Sequence, residues 1–320
     1  MTVDLQTAIQ RLKEKDNIVI LLHQFPDGDT IGCGYSLYFA LTSLGKKARV
    51  ECADTIGERY GYITEGVEFD DFAPEFVVAV DVADTKLLGS KAEEYPEIDL
   101  CIDHHGSNIG YAKETYVDAS AAAACEILYE VVRGLCGEVS PNEAAALYTG
   151  ISTDTGCFKF TNTTDKTHII AAELMKTGID YGEINRIMFD TKSKARLLVE
   201  KEALNTIQFL CDDKVAIMTI TKDMRERSGA HDSELEGITG LPRTIEGVIL
   251  GITIRERNDT NICKVSVRTH EPISASDFCA QFGGGGHARA AGCEIKLPKD
   301  KTYEALAKAA EETMKKAGLV

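Results

Sequence analysis

The 320-residue chain contains no apolar run approaching the ~18 residues that a membrane-spanning helix requires. Its opening stretch, MTVDLQTAIQRLKEKDN, patterns as an amphipathic helix and not as a secretory signal, so a cytoplasmic protein with no membrane association is expected. No CxxC pair occurs. The ten cysteines are scattered, many in apolar segments (Cys52, Cys101, Cys125, Cys136 and Cys211 among them), and read as buried free thiols in a reducing compartment. Positive charge is scarce: 35 Lys and Arg face 51 Asp and Glu, for a formal net charge of −16. Broad, sequence-independent nucleic-acid binding needs many neutralised phosphates. Long duplexes are therefore excluded as partners and any nucleic-acid substrate is small, although acidity on this scale also serves solubility. Internal repeats and low-complexity segments are absent too.

What is present suits a folded enzyme. Hydrophobic residues make up 44% of the chain and charged residues 27%, enough for a substantial core and, at this length, for two domains. In the first half, short β-branched runs (17–22, 48–52, 76–82 and 99–102) alternate with helical patterns at 30–44, 121–135 and 142–151, with Gly45 as a helix-ending glycine. Such alternation predicts a parallel sheet covered on both faces. Beyond about residue 190 a charged helical stretch, 193–210, precedes strand-like runs at 215–221, 247–255 and 263–268, the last two separated by the turn-rich Asn258 to Asn261. The expected fold is therefore α/β throughout: a parallel-sheet first domain (1–190), a helical linker (191–212) and a smaller α/β second domain (213–320), with the active site in the cleft between the two.

Acidic and imidazole residues collect after the predicted strands. His23, Asp27 and Asp29 follow the first in HQFPDGD, Asp81 ends FVVAVD, Asp103, His104 and His105 follow LCI, and Asp154 lies in STDTG. In an open parallel sheet that edge binds ligands. Taken singly, each has an ordinary alternative, since aspartates fill turns and helix N-caps and a His pair can be solvated. Taken together, four converging carboxylates would raise one another's pKa values and oppose folding unless cations offset them. Asp27, Asp29, Asp81 and Asp154 carry −4, which two divalent ions balance, with His23 and His104 as nitrogen donors. Carboxylate and imidazole without thiolate favour Mn(II), Mg(II), Fe(II) or Co(II) over a structural zinc site, Mn(II) first. Two such ions roughly 3.5 to 4 Å apart suit hydrolysis at phosphorus. Asp81, alone at the end of a central strand, is the expected bridge.

The second informative segment is FGGGGHARAAGC. Gly283, Gly284, Gly285 and Gly286 leave amides unshielded and tolerate positive φ, which suits close approach of a phosphate, with His287 and Arg289 as further donors; a hinge or hairpin turn is the plain alternative. Arg268, at the end of the preceding strand, is a candidate phosphate clamp. His168, His231 and His270 read as structural or solvated, and Lys159 and Asn162 as turn residues or substrate contacts.

HQFPDGD, VAVD, DHH, STDTGCFKF and GGGGHARAAG, in this order and spacing, resemble the DHH phosphoesterases with a DHH-associated C-terminal domain, nearest to the bacterial NrnA-type oligoribonucleases that also act as pAp phosphatases. The resemblance spans nearly the whole chain. It implies that His23, Asp27 and Asp81 hold one metal, and that Asp29, Asp81, His104 and Asp154 hold the other. It further implies that His105 faces the substrate phosphate, that Asp103 supports the site from behind, and that Arg268 and the Gly283 to His287 loop grip a terminal phosphate or nucleotide. Phe25 and Cys33 replace the usual asparagine and serine, and Lys86 a frequent arginine; none is a ligand, and they bear on substrate preference.

The expected activity is metal-dependent hydrolysis of short oligoribonucleotides or linear dinucleotides to nucleoside 5′-monophosphates, together with removal of the 3′-phosphate of pAp. The rivals are a pyrophosphatase or polyphosphatase, a cyclic-dinucleotide phosphodiesterase, and a nucleotide-binding protein without turnover. Partners are then short RNA, a dinucleotide or pAp; a homodimer stays open.

Overall fold

Five short, largely apolar runs form the centre of the first of two units into which the chain divides, Met1–Thr191 and Lys192–Val320. The computed structural model describes residues 1–258 and 261–320. The first unit runs α1 (Leu5–Glu14), β1 (Ile18–Leu21), α2 (Gly28–Ser43), β2 (Ala48–Glu51), α3 (Gly61–Thr64), β3 (Phe76–Val80), α4 (Lys91–Glu94), β4 (Leu100–Asp103), β5 (Glu114–Val117), α5 (Ala124–Cys136), α6 (Pro141–Asp154), α7 (Asp165–Lys176) and α8 (Tyr181–Asn185). All neighbouring strands are parallel, in the order β2-β1-β3-β4-β5. The side-chain period of two sorts each strand between two cores. Ile18, Ile20, Val78, Val80, Leu100 and Ile102 meet residues of α1, α2, α5 and α6 on one face, while Val19, Leu21, Val77, Ala79 and Cys101 meet Val82, Leu88 and Tyr95 on the other. The expected sheet covered on both faces is observed.

Two glycines let the helices close in. A Cβ on Gly32 of α2 would lie 2.4 Å from the Ala146 carbonyl oxygen of α6, and one on Gly150 of α6 would lie 2.2 Å from Cys125 Sγ of α5. Neither contact is possible for a larger residue, so α2, α5 and α6 pack closely only with glycine at both positions.

The second unit runs α9 (Lys194–Leu204), β6 (Gln208–Leu210), β7 (Val215–Ile220), α10 (Lys222–Ser228), β8 (Leu250–Glu256), β9 (Cys263–Thr269), α11 (Ala275–Ala280), β10 (Gly285–Gly286), β11 (Ala290–Ile295) and α12 (Lys299–Lys316). Its mixed sheet has the order β10-β11-β9-β8-β7-β6, parallel only between β7 and β8. The charged stretch expected as one helix over 193–210 stops at Leu204, and 208–210 is instead β6, because the backbone there pairs with β7. Val199 and Ala203 of α9 are buried with Met218, Ile220, Leu235 and Ile238 of this unit. The turn expected between β8 and β9 falls partly at 259–260, outside the described residues. All ten cysteines are free; six are buried and Cys52, Cys136, Cys157 and Cys211 are partly exposed. Among the described residues no helix is long and apolar enough to cross a membrane.

Candidate metal centre

In the order β2-β1-β3-β4-β5 the chain leaves β1 toward β2 on one side and returns to β3 on the other. The carboxyl ends of β1 and β3 therefore flank the point where the winding reverses, the place where open α/β sheets bind ligands. His23 follows β1 and Asp81 follows β3 at that point. Asp103 is the last residue of β4, with His104 and His105 beyond it. The remaining two segments are helical: Asp27 is the N-cap of α2, accepting from the amides of Asp29 and Thr30, and Asp154 ends α6 and no strand.

These residues form two groups with a common member. His23 Nε2 lies 3.5 Å from Asp27 Oδ1 and 3.7 Å from Asp81 Oδ2. His104 Nε2 lies 3.6 Å from Asp81 Oδ1, 3.9 Å from Asp29 Oδ2 and 3.7 Å from Asp154 Oδ2. Asp81 thus turns one oxygen to each group. Within each of the sets His23, Asp27, Asp81 and Asp29, His104, Asp154, one donor atom per residue lies within 4.8 Å of the others.

Backbone carbonyls set the imidazole tautomers. Nδ1 of His23 is 2.8 Å from the Gln24 carbonyl and Nδ1 of His104 is 3.2 Å from that of Ala121. Each Nδ1–H is donated there, which leaves the Nε2 lone pair facing the carboxylates, the arrangement a metal-ligating histidine needs. Asp29 is held differently. Helix α5 has no side-chain cap of its own, and the Asp29 carboxylate accepts its first amides, Ala124 N at 2.6 Å and Cys125 N at 3.0 Å.

Electrostatics show what this cluster lacks. Asp81 is buried, its Oδ1 has no hydrogen-bond partner, and its backbone is held at φ 59°, a conformation rare outside glycine. Burial, then Asp29, Asp27, Asp103 and Asp154, drive its carboxyl well above the usual carboxylate range. Burial and then Asp29 and Asp27 push Asp154 up to about 8, and burial raises Asp29 as well. Protein groups alone leave this site short of positive charge. An unpaired buried carboxylate oxygen, oriented imidazole nitrogens and an all-oxygen-and-nitrogen donor set fit divalent cations.

His105 sits beside the cluster with its own support. Its Nδ1 donates to Asp103 Oδ1 at 2.8 Å, and Asp103 also accepts the amides of His104 and His105 and, through Oδ2, Asn108 Nδ2 at 2.6 Å. Burial alone would raise Asp103, yet His105 and Asn108 hold it below the usual carboxylate range; Asp103 in turn raises the His105 imidazole. Asn108 was not foreseen from sequence, because an asparagine five residues past a strand carries no pattern. Asn162, left open between turn and substrate, ties its loop by donating to the carbonyls of Ala122 and Asp154.

In the second unit the glycine run serves packing more than expected. The amides of Gly283 and Gly284 bond to the carbonyls of Ala280 and Cys279, and that of His287 to Ala290. A Cβ on Gly284 would lie 2.3 Å from the Gly292 carbonyl oxygen. These three amides are not open to a phosphate, and Gly285 and Gly286 form the short strand β10 against β11. Arg289 is likewise engaged, donating to the Ile273 carbonyl and to Glu271. Arg268 differs. It is half-buried on β9, its guanidinium depressed by burial and by the nearby charge of Arg243, and among the described residues neither arginine has a carboxylate partner. Arg243 went unnoticed in the sequence, where a lone arginine in LPRT has no distinguishing context.

A parallel α/β unit with carboxylates and imidazoles gathered at its switch point, followed by a second, mixed-sheet unit, defines a two-unit α/β protein with a candidate metal centre. The DHH family, N-terminal domain, matches residues 17–151, and the DHHA1 domain matches residues 212–316. The chain is 32% identical over 309 residues to the "Bifunctional oligoribonuclease and PAP phosphatase NrnA" of Thermus thermophilus, covering 94% of this chain and 91% of that protein. It is 27% identical over 296 residues to the protein of the same name from Bacillus subtilis, covering 90% and 92%. A crystal structure of an exopolyphosphatase-related protein from Bacteroides fragilis shares the fold, with a TM-score of 0.86, 23% identity and 96% of both chains covered. The chain belongs to the DHH phosphoesterases that carry a DHHA1 domain.

Proposed function

We propose that this protein hydrolyses short oligoribonucleotides and linear dinucleotides to nucleoside 5′-monophosphates, and removes the 3′-phosphate of pAp, with two divalent ions, Mn(II) first. The observation that carries this is the pair of donor sets joined at Asp81, whose unpartnered buried oxygen calls for a cation. His23, Asp27 and Asp81 hold one ion, and Asp29, Asp81, His104 and Asp154 hold the other. Bound there, two such ions supply Lewis acidity at the reacting phosphorus and lower the pKa of the attacking water. The protein's own groups bind and orient. His105, kept protonated more readily by Asp103, donates to a phosphate oxygen. Asp103 fixes that ring without touching substrate. Arg268, uncompensated by any described carboxylate, takes a terminal phosphate, and His287, exposed on the glycine loop, adds a donor.

The names of the Thermus thermophilus and Bacillus subtilis relatives support the substrate class. So does the net charge of −16, which favours a substrate with few phosphates over a long strand. The test is release of nucleoside 5′-monophosphate from a diribonucleotide with Mn(II), with a 24-mer in competition. Turnover of the dinucleotide is expected to exceed that of the 24-mer. Equal or better cleavage of the long strand rejects the length preference, and no release from either substrate rejects the activity.

A further inference from the structure

His23 and Asp27 are joined by three residues, Gln24, Phe25 and Pro26, and their side chains meet at 3.5 Å, so the segment closes into a tight loop with Phe25 at its tip. Phe25 is 75% exposed, more than any other aromatic among the described residues. Its backbone has φ 55°, a conformation that asparagine takes readily and a bulky ring does not. The strain is held from outside: the Phe25 amide donates to Asp54 Oδ2 at 2.9 Å, and Pro26 restricts the next φ. A residue kept in an unfavourable conformation with its apolar ring in water gains nothing for the fold. Strain of this kind persists where position matters for function.

We propose that Phe25 is a base-stacking platform, its exposed ring taking the face of one nucleobase of the substrate whose scissile phosphate lies at the carboxylate and imidazole cluster. This rests on the ribonucleotide reading above and deepens it. The ring is fixed two residues from His23 and two from Asp27, so a base next to the reacting phosphate comes within its reach. A chain with few cations draws affinity for a short substrate from a small number of contacts, and stacking on an aromatic face is available to every base. Phe25 then favours a nucleotide over phosphate esters that carry no base.

The chain has no tryptophan, so Phe25→Trp introduces a single fluorophore at the proposed contact. With Mn(II) present, its emission should be quenched saturably by AMP and left unchanged by ribose 5-phosphate, which carries the same phosphate and sugar without a base. Phe25→Ala should lower kcat/KM for the diadenosine dinucleotide about 5- to 150-fold, chiefly through KM, whereas Phe25→Tyr should keep it within about threefold. Leu44→Ala serves as control: it removes another exposed apolar side chain at the far end of α2, roughly 22 Å along the helix from Asp29. Quenching by both ligands or by neither, or an unchanged KM in Phe25→Ala, overturns the proposal. If the unmodified protein releases no AMP from the dinucleotide, the proposed function fails, and the AMP quenching arm still decides whether Phe25 stacks a base.

Discussion

The Asp103 carboxylate receives the Nδ1 proton of His105 at 2.8 Å while remaining wholly buried itself. A buried carboxylate in that position fixes the ring and raises its pKa, leaving Nε2 as the donor to substrate. Asp103→Asn keeps the size and weakens both effects. We expect kcat to fall by about 10- to 100-fold, the range found for hydrogen-bond partners of site histidines, with little change in KM. Since the His105 pKa falls when its carboxylate partner is removed, the alkaline limb of the pH–rate profile should move to lower pH. A simple loss of folded protein would lower the rate at all pH values and leave the limb in place, which the profile separates.

Asp81 stands between the two donor sets, with Oδ2 toward His23 and Oδ1 toward His104. Asp81→Asn is the informative change, because asparagine tolerates the φ of 59° and keeps the shape of the side chain. Activity should drop by more than about 100-fold, beyond the loss typical of a residue one layer removed from the metal. Metal content by elemental analysis should fall with it, and the circular dichroism spectrum should not change. A variant keeping a tenth of normal turnover would show that Asp81 does not serve both ions.

The strand-end residues were legible because two physical signals coincide there. Runs such as NIVILL and FVVAVD are continuously apolar, as strands buried on both faces must be, and the first polar residue after each run marks the sheet edge. His23, Asp81 and Asp103 fall out of that pattern. Asp154 was found only through its motif, since it arrives on the last residue of α6, and helix packing through Gly32 and Gly150 is not encoded in any local period. Strand β5 was missed because ETYV is short and charged; Glu114 is paired with Arg11 of α1 at 2.8 Å, a partner 103 residues away. The glycine run reads two ways for a related reason. Glycine is required both where a phosphate approaches and where two backbones touch, and at Gly284 it is the carbonyl of Gly292 that comes close.

Removing the metal should make stability depend on pH in a particular direction. In the cation-free protein Asp29, Asp81 and Asp154 have folded-state pKa values above the unfolded value of about 4, with Asp154 at about 8. A carboxyl raised in this way contributes stability that is present below its unfolded pKa and lost as pH rises through its folded pKa, because the folded state then holds more protons than the unfolded one. The chelator-treated protein should therefore lose thermal stability between pH 5 and about 8. Saturating Mn(II), which binds the folded state and favours the ionised carboxylates, should remove that slope and widen the gap in Tm as pH increases. A gap that stays constant over this window would mean that these carboxyls ionise without a cation.

Arg268 tests the division of work between the two units. His23, Asp81 and His104 belong to the first, whereas Arg268 lies on β9 of the second, half-buried and depressed by burial and by Arg243. Two guanidiniums close together without a described carboxylate repel each other, and an anion between them relieves both charges. Arg268→Ala removes a charge-assisted contact of a kind worth roughly 1.5 to 3 kcal/mol, so kcat/KM for a dinucleotide carrying a terminal phosphate should fall by about 10- to 150-fold. Metal content should not change. Bis-p-nitrophenyl phosphate has no second phosphate for this arginine to hold, and its hydrolysis should fall much less. Arg268→Lys should recover only part of the loss, because a lysine cannot offer the two parallel donors with which a guanidinium meets a phosphate. Equal losses on both substrates, with the metals retained, would place Arg268 at the reacting phosphate itself and assign it to the chemistry.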